Sequence, residues 1–197
     1  MTEMVLRELL VTLARRAYER GLVGGTGGNF SARIDGEKML ITASGLSLAD
    51  TSINNLITVE IETGEWEPVE GFIPSKEFRF HADILKIRSD VGAILHVHAP
   101  YATAYSVLKR DIPMITDAGF KQPPIPRVPF APSGTEELRH KVAQTVRDNL
   151  GCRSLLLEQH GVIALGKDII AAYNQADLVE ELAKIAYLSD NLHGKAA

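Results

Sequence analysis

The sequence is poor in cysteine and contains no long apolar run. Cys152 is the only cysteine among 197 residues, which excludes an intramolecular disulfide and is typical of a protein kept in a reducing cytoplasm. No stretch approaches roughly 18 uninterrupted apolar residues, so we predict no membrane-spanning helix. Residues 1–4 lack the basic start and apolar core of a signal peptide. These absences together predict a cytoplasmic protein.

Clusters of lysine and arginine are also missing. The chain has 21 basic and 25 acidic residues, and its net charge of -4 gives no basic surface for a phosphate backbone. We therefore predict no nucleic-acid partner. Hydrophobic residues make up 45% of the chain, which is enough to bury a core at this length. We predict a single domain over residues 1–197.

Hydrophobic spacing predicts helices alternating with short strands. Helices are predicted over residues 3–20, 76–88, 100–108, 136–150 and 168–192. Strands are predicted over residues 30–34, 39–42, 56–61, 92–98, 154–157 and 162–165, with a further strand beginning at Trp66. Residues 110–134 carry six prolines and are predicted as a long loop, which in a compact domain is usually functional or part of an interface.

Two histidines lie one residue apart in the predicted strand 92–98. Because side chains alternate along a strand, His96 and His98 project from the same face, with Cα atoms about 6.5 to 7 Å apart. That spacing allows two imidazoles to bind one metal ion. Histidines in such a pair also occur as packed or hydrogen-bonded residues, so the pair alone does not establish a metal site.

Two further residues extend this candidate site. His160 lies at a glycine-flanked break between two predicted strand segments, and Glu77 lies in the first turn of a predicted helix. Three imidazoles and one carboxylate suit Zn²⁺, with Mn²⁺, Co²⁺ or Fe²⁺ as alternatives. A glutamate in a first helical turn is also a common surface residue that matches the helix dipole. His81 is predicted to pack or to lie at the surface, and not to bind metal.

Three segments are candidates for binding an anion. The glycine-rich segment before Asn29 can take positive φ angles and approach a ligand closely, although a flexible turn is the plain alternative. Ser75 and Lys76 lie at a predicted helix start, where free N–H groups favour negative charge, and Ser75 is predicted as the N-cap. Ser44 and Gly45 end a predicted strand, where an ordinary turn explains them equally well.

Six motifs taken together resemble the class II aldolase/adducin family, in particular the group around L-fuculose-1-phosphate aldolase. They are residues 25–31 (GTGGNFS), 42–45 (TASG), 74–77 (PSKE), 91–98 (VGAILHVH), 101–103 (YAT) and 159–162 (QHGV). The resemblance implies a three-layer α/β/α sandwich around a mostly antiparallel sheet. It also implies a homotetramer whose active sites lie at subunit interfaces.

The resemblance assigns roles to the candidate residues. It implies that His96, His98 and His160 bind the metal, and that Glu77 is both a resting ligand and the catalytic acid/base. The implied phosphate-binding site is Gly28, Asn29, Ser44, Gly45, Ser75 and Lys76. The implied reaction cleaves a short ketose 1-phosphate to dihydroxyacetone phosphate and an aldehyde, through a metal-stabilised enediolate.

The chain departs from the family pattern at two places. Lys76 stands where the sugar-phosphate aldolases usually have serine, which strengthens phosphate binding or indicates a carboxylate-bearing substrate. The segment after Pro113 lacks the tyrosine that protonates the leaving oxygen, so Asp117 and Tyr101 are the candidate general acids. Alternative functions are a sugar-phosphate 4-epimerase, a dehydratase, a decarboxylase of a phosphorylated sugar acid and, least expected, a non-catalytic adducin-like interaction protein.

Overall fold

The computed structural model describes residues 2–193 and shows one sheet between two layers of helices. The helices are α1 (Glu3–Glu19), α2 (Phe78–Ile87), α3 (Pro100–Val107), α4 (Asp117–Phe120), α5 (Glu136–Asp148) and α6 (Ile169–His193). The strands are β1 (Asn29–Arg33), β2 (Lys38–Thr42), β3 (Leu56–Glu60), β4 (Ala93–Val97), β5 (Arg127–Val128), β6 (Ser154–Leu157) and β7 (Gly161–Gly166). The predicted α/β/α sandwich is confirmed.

The seven strands lie in the order β3-β2-β1-β4-β7-β6-β5. Neighbouring strands are antiparallel except β5 and β6, which confirms the mostly antiparallel sheet. Strand β4 is central, is buried along its whole length, and pairs with β1 and β7. Asn29 of β1 lies opposite His96 of β4 in this register, so the fold itself brings two candidate site residues together.

Each face of the sheet has its own apolar core. One core, which includes Leu95, lies against α1, α3 and α6, and the other, which includes Ile94, lies against α2 and α5. Because side chains alternate along β4, His96 projects to the same side as Ile94, next to the Phe80 ring of α2 at 6.0 Å between centroids. The site is therefore built on the side of the sheet that α2 covers.

The helix that follows Ser75 begins later than the sequence predicts. Residue 74 forms a bridge to residue 43, and the Ser75 N–H donates to the carbonyl of Thr42 at 3.1 Å, so this segment extends along β2. Glu77 consequently occupies the N-cap position of α2, and the prediction of Ser75 as N-cap is wrong. The Ser75 hydroxyl instead accepts from the Glu77 N–H at 3.4 Å.

The predictions differ from the structure in two other places. Trp66 forms a single bridge with Val59 and begins no strand. The proline-rich segment 110–134, predicted as a loop, contains α4 and β5, and the Thr116 hydroxyl caps α4 by accepting from the Gly119 N–H at 3.1 Å. Both elements are too short to produce a periodic sequence signal.

No helix within residues 2–193 has the length and apolar character needed to cross a bilayer.

Candidate active site

Three histidines and a glutamate meet beyond the carboxyl end of β4. The Nε2 atom of His96 lies 3.1 Å from that of His98 and 3.3 Å from that of His160. Glu77 completes the group, with one carboxylate oxygen 3.5 Å from His96 Nε2 and the other 3.6 Å from His160 Nε2. The structure thus brings together all four residues predicted as metal ligands.

The donor atoms of this group fit a divalent metal ion. His96 Nδ1 lies 3.0 Å from the carbonyl oxygen of Val162, and only a protonated nitrogen can donate there, so Nε2 carries the lone pair. Burial lowers the pKa of His96 to about 3, which keeps the ring neutral. Neutral imidazole nitrogens that converge in this way are a typical zinc-binding arrangement. His160 is less constrained, because its buried Nδ1 has no hydrogen-bond partner among the described residues.

Two glycines allow the backbone to close around the histidines. A Cβ atom on Gly161 would lie 2.4 Å from the carbonyl oxygen of Val97, so only glycine lets β7 start this close to β4. Gly28 has a φ of +76°, and a Cβ atom there would lie 2.9 Å from the carbonyl oxygen of His96. Larger residues at these two positions would push apart the strands that carry the site.

The Glu77 carboxylate is held by two neutral donors. The Asn29 amide donates to Oε2 at 2.9 Å, and the Ser133 hydroxyl donates to Oε1 at 2.9 Å. Burial alone would raise the pKa of Glu77, but the adjacent His96 and His160 rings and these two hydrogen bonds bring it below its usual range. Glu77 is therefore an ionised carboxylate, although only 5% of it is exposed.

Behind Glu77, the hydrogen-bond chain continues into the core. His81 lies with Nε2 2.6 Å from Asn29 Oδ1 and with Nδ1 2.7 Å from the Ser31 hydroxyl. The sequence predicted packing or exposure for His81, and the structure shows a fully buried residue with both ring nitrogens in polar contacts. The four-residue spacing from Glu77 was the available signal, because residues so spaced share a helix face. Ser133 was missed as a site residue, since no local pattern connects it to Glu77.

A cavity of about 230 Å³ opens beside the histidines and Glu77. Its wall includes all six residues of the predicted phosphate site, Gly28, Asn29, Ser44, Gly45, Ser75 and Lys76. His98, His160 and Glu77 line the same cavity. The Lys76 side chain is the one cation among the lining residues, and it places a positive charge where the predicted phosphate would bind.

The two candidate general acids lie elsewhere. Asp117 is on the surface and pairs with Lys121. The Tyr101 ring packs against Tyr187 of α6, with 5.5 Å between ring centroids. Neither residue lines the cavity, so a single chain does not bring either of them to Glu77. Their role as general acid stays a prediction.

The chain just after His98 is anchored by the last helix. Helix α3 begins at Pro100 and has no capping side chain of its own at Ala99. Glu180 of α6 supplies the acceptors instead, taking hydrogen bonds from the N–H groups of Tyr101 at 3.0 Å and Ala102 at 2.9 Å. This contact fixes where α3 starts, and hence the path of the backbone that leaves His98.

Comparison with known proteins identifies the family to which this fold belongs. The family model described as Class II Aldolase and Adducin N-terminal domain matches residues 8–187, and the chain belongs to this family. Class II aldolases are metal-dependent, and the three-histidine group of this chain is consistent with that property. The predicted family is confirmed.

Individual relatives narrow the class of enzyme. The chain is 42% identical over 188 residues to a 5-methylthioribulose-1-phosphate/5-deoxyribulose-1-phosphate aldolase of Rhodospirillum rubrum, covering 93% of this chain and 80% of that protein. It is 32% identical over 197 residues to a 3-oxo-tetronate 4-phosphate decarboxylase of Haemophilus influenzae, covering 95% and 89%. A solved L-fuculose 1-phosphate aldolase superposes with a TM-score of 0.86 at 28% identity, covering 98% and 89%. The prediction of a class II aldolase enzyme is confirmed.

Proposed function

We propose that this enzyme cleaves a short ketose 1-phosphate to dihydroxyacetone phosphate and an aldehyde. The observation that carries the proposal is one cavity that joins Glu77 and the histidines to the predicted phosphate-binding residues. The Rhodospirillum rubrum relative supports it, since its name gives 5-methylthioribulose 1-phosphate and 5-deoxyribulose 1-phosphate as substrates. Pentulose 1-phosphates with an apolar group at C5 are therefore the first substrates to test.

In this proposal His96, His98 and His160 hold a divalent metal ion, with Glu77 as a fourth ligand in the resting enzyme. Zn²⁺ is the proposed ion, with Mn²⁺, Co²⁺ and Fe²⁺ as alternatives, because three neutral imidazoles and a carboxylate suit all four. When bound, such an ion supplies Lewis-acid stabilisation for the negative charge that develops on substrate oxygens.

The residues of the chain position the substrate and move a proton. Lys76, Asn29, Ser44 and Ser75 line the end of the cavity where the phosphate would bind, and that remote binding energy orients the reacting carbons. Glu77 lines the same cavity as an ionised carboxylate. In the direction of synthesis it takes a proton from the carbon next to the carbonyl of dihydroxyacetone phosphate, and in cleavage it returns that proton.

The test is a substrate screen with the metal-loaded enzyme. Pentulose and hexulose 1-phosphates are supplied, and dihydroxyacetone phosphate and aldehyde are measured with Zn²⁺, Mn²⁺, Co²⁺ or Fe²⁺ present. We expect cleavage of at least one ketose 1-phosphate, and cleavage slowed about 10²- to 10⁴-fold in the Glu77→Gln variant. Absence of dihydroxyacetone phosphate with every substrate and every metal would overturn the proposal.

A second candidate function is the decarboxylation of a phosphorylated sugar acid. Lys76, which replaces the usual serine, adds a cation that suits a carboxylate, and the Haemophilus influenzae relative carries a decarboxylase name. Phosphorylated 3-oxo acids belong in the same screen, with release of CO₂ as the readout. The 4-epimerase and dehydratase alternatives have no specific observation in their favour.

We also propose a cytoplasmic homotetramer in which a neighbouring subunit completes the site. Supporting this, the proline-rich segment exposes Ile115, Phe120 and Phe130, with 72% of Phe120 accessible. Size-exclusion chromatography with light scattering tests the assembly, and a monomeric mass at micromolar concentration would contradict it.

A further inference from the structure

We propose that His81 is a positioning residue that determines which end of the Asn29 amide faces Glu77. The inference depends on the proposed role of Glu77 in proton transfer, but its primary test does not require turnover. The sequence predicted only packing or surface exposure for His81, and not a positioning role.

The contacts form an unbranched chain from the core to the site. The Ser31 hydroxyl lies 2.7 Å from His81 Nδ1, and His81 Nε2 lies 2.6 Å from Asn29 Oδ1. The Asn29 amide nitrogen lies 2.9 Å from Glu77 Oε2. Ser31 and His81 are fully buried, and Asn29 and Glu77 are about 5% exposed or less, so solvent does not compete for these atoms.

Only one placement of the protons satisfies every contact. Burial lowers the pKa of His81 to about 3, so the ring carries a single proton near neutral pH. If that proton is on Nε2, it is donated to Asn29 Oδ1, and Nδ1 accepts from Ser31. The Asn29 amide group then points its N–H bonds at the Glu77 carboxylate, which can only accept.

The other tautomer reverses the chain and leaves a conflict at its end. With the proton on Nδ1, the bare Nε2 atom would accept from the Asn29 amide nitrogen. The Asn29 amide would then present its oxygen to Glu77, placing two acceptors about 2.9 Å apart with no proton between them. The ionised Glu77 carboxylate therefore favours the Nε2–H form of His81. That form in turn fixes the orientation of the Asn29 amide.

This arrangement gives His81 an effect on catalysis without contact with substrate. An asparagine amide has nearly the same shape in both flipped orientations, so packing alone does not choose between them. Removing the His81 donor frees the Asn29 amide to rotate and weakens its charge-assisted bond to Glu77. Loss of such a bond corresponds to a drop in kcat of roughly tenfold to a hundredfold. Because Asn29 also lines the predicted phosphate site, we expect KM to rise as well.

Nuclear magnetic resonance of the wild-type protein provides the primary test. In ¹⁵N-histidine-labelled, metal-free protein, the couplings between ring nitrogens and ring protons report which nitrogen of His81 carries the proton. We expect the Nε2–H tautomer. The Nδ1–H tautomer would overturn the proposal, whether or not the enzyme cleaves any sugar phosphate.

Two variants then separate positioning from packing. His81→Gln keeps a donor for Asn29 and an acceptor for Ser31, whereas His81→Leu keeps comparable bulk without polar atoms. We expect His81→Leu to lower kcat, and His81→Gln to restore most of the loss. Equal kcat values for Leu and wild type, or equal losses for Leu and Gln, would overturn the proposal. If Leu does not fold, the tautomer measurement still decides. Cleavage by the wild-type enzyme is scored separately, so failure of the proposed reaction is distinguishable from failure of the positioning role.

Discussion

The histidine cluster and the proline-rich segment 110–134 are built in opposite ways. His96 is fully buried at the end of the central strand, and Glu77 beside it is held by two hydrogen bonds. In the proline-rich segment, Asp117 lies on the surface and Phe120 is 72% exposed. Glu77 is thus held by contacts inside one chain, whereas the segment proposed to meet a neighbouring subunit is exposed. Four experiments test how the buried side of this comparison is built.

The largest effect is expected from His96→Ala. Removing the central imidazole takes away the ring whose Nε2 atom lies within 3.5 Å of His98, His160 and Glu77. We expect loss of metal retention and of activity, while the circular dichroism spectrum stays close to that of the wild type. Metal content after dialysis is the measurement. Full metal occupancy in the variant would show that the strand histidines are packing residues.

A smaller loss, confined to turnover, is expected from Glu77→Gln. The glutamine side chain retains the shape of glutamate, and the three imidazoles remain, so metal stays bound. General acid–base catalysis typically contributes about 10²- to 10⁴-fold, and we expect kcat to fall within that range. Steady-state kinetics and metal analysis on the same preparation check both parts. Unchanged turnover would remove Glu77 from the mechanism.

Lys76→Ala tests the anion end of the cavity. Lys76 is exposed at the mouth, and its charge is screened by solvent, so we expect KM to rise by roughly tenfold or less with kcat little changed. The increase in KM should be smaller at high salt. Lys141→Ala is the matched control, since Lys141 is paired with Glu137 and does not line the cavity. An identical KM in both variants would argue against a phosphate or carboxylate at Lys76.

The smallest effect concerns stability against pH. His81 is neutral in the folded protein because burial lowers its pKa to about 3, whereas in the unfolded chain it titrates near its ordinary value of 6.5. The unfolded state therefore gains a proton below pH 6.5, and stability falls as the pH drops, by about 1.4 kcal/mol per pH unit from this residue.

Urea titrations of metal-free protein at pH 7, 6 and 5 measure that slope. The His81→Gln variant should show a shallower slope over the same interval, because its side chain does not titrate. The other buried histidines remain in both proteins and cancel in the comparison. If the free energy of unfolding changed equally with pH in the two proteins, His81 would not be a buried, neutral residue in the folded state.

Local features of the fold were predictable, and distant contacts were not. The alternation that puts His96 and His98 on one face is a property of a single strand, so the sequence alone revealed it. The meeting of Glu77 with His160 depends on how β7 pairs with β4. Residue type made both of them candidates, and the resemblance to a family supported the grouping, but no local pattern joins them. His81 and Ser133 were missed because their partners lie 48 or more residues away in the chain.

The misplaced start of α2 has a similar cause. The sequence around Ser75 contains a good local N-cap signal, and an isolated peptide would use it. In the folded chain, the Ser75 N–H donates to the carbonyl of Thr42, and the helix starts at Phe78. Pairing with a distant strand outweighed the local preference, and this placed Glu77 at the start of α2, facing the histidines.

The anchoring of α3 by Glu180 has a consequence for biosynthesis. Ribosomes deliver the chain from its amino end, so the segment that contains His96 and His98 emerges long before Glu180. Its final backbone path requires both β7 and α6, which are translated after it. We therefore expect nascent chains that stop before Glu180 to bind metal poorly, and metal loading of this enzyme to follow the translation of α6.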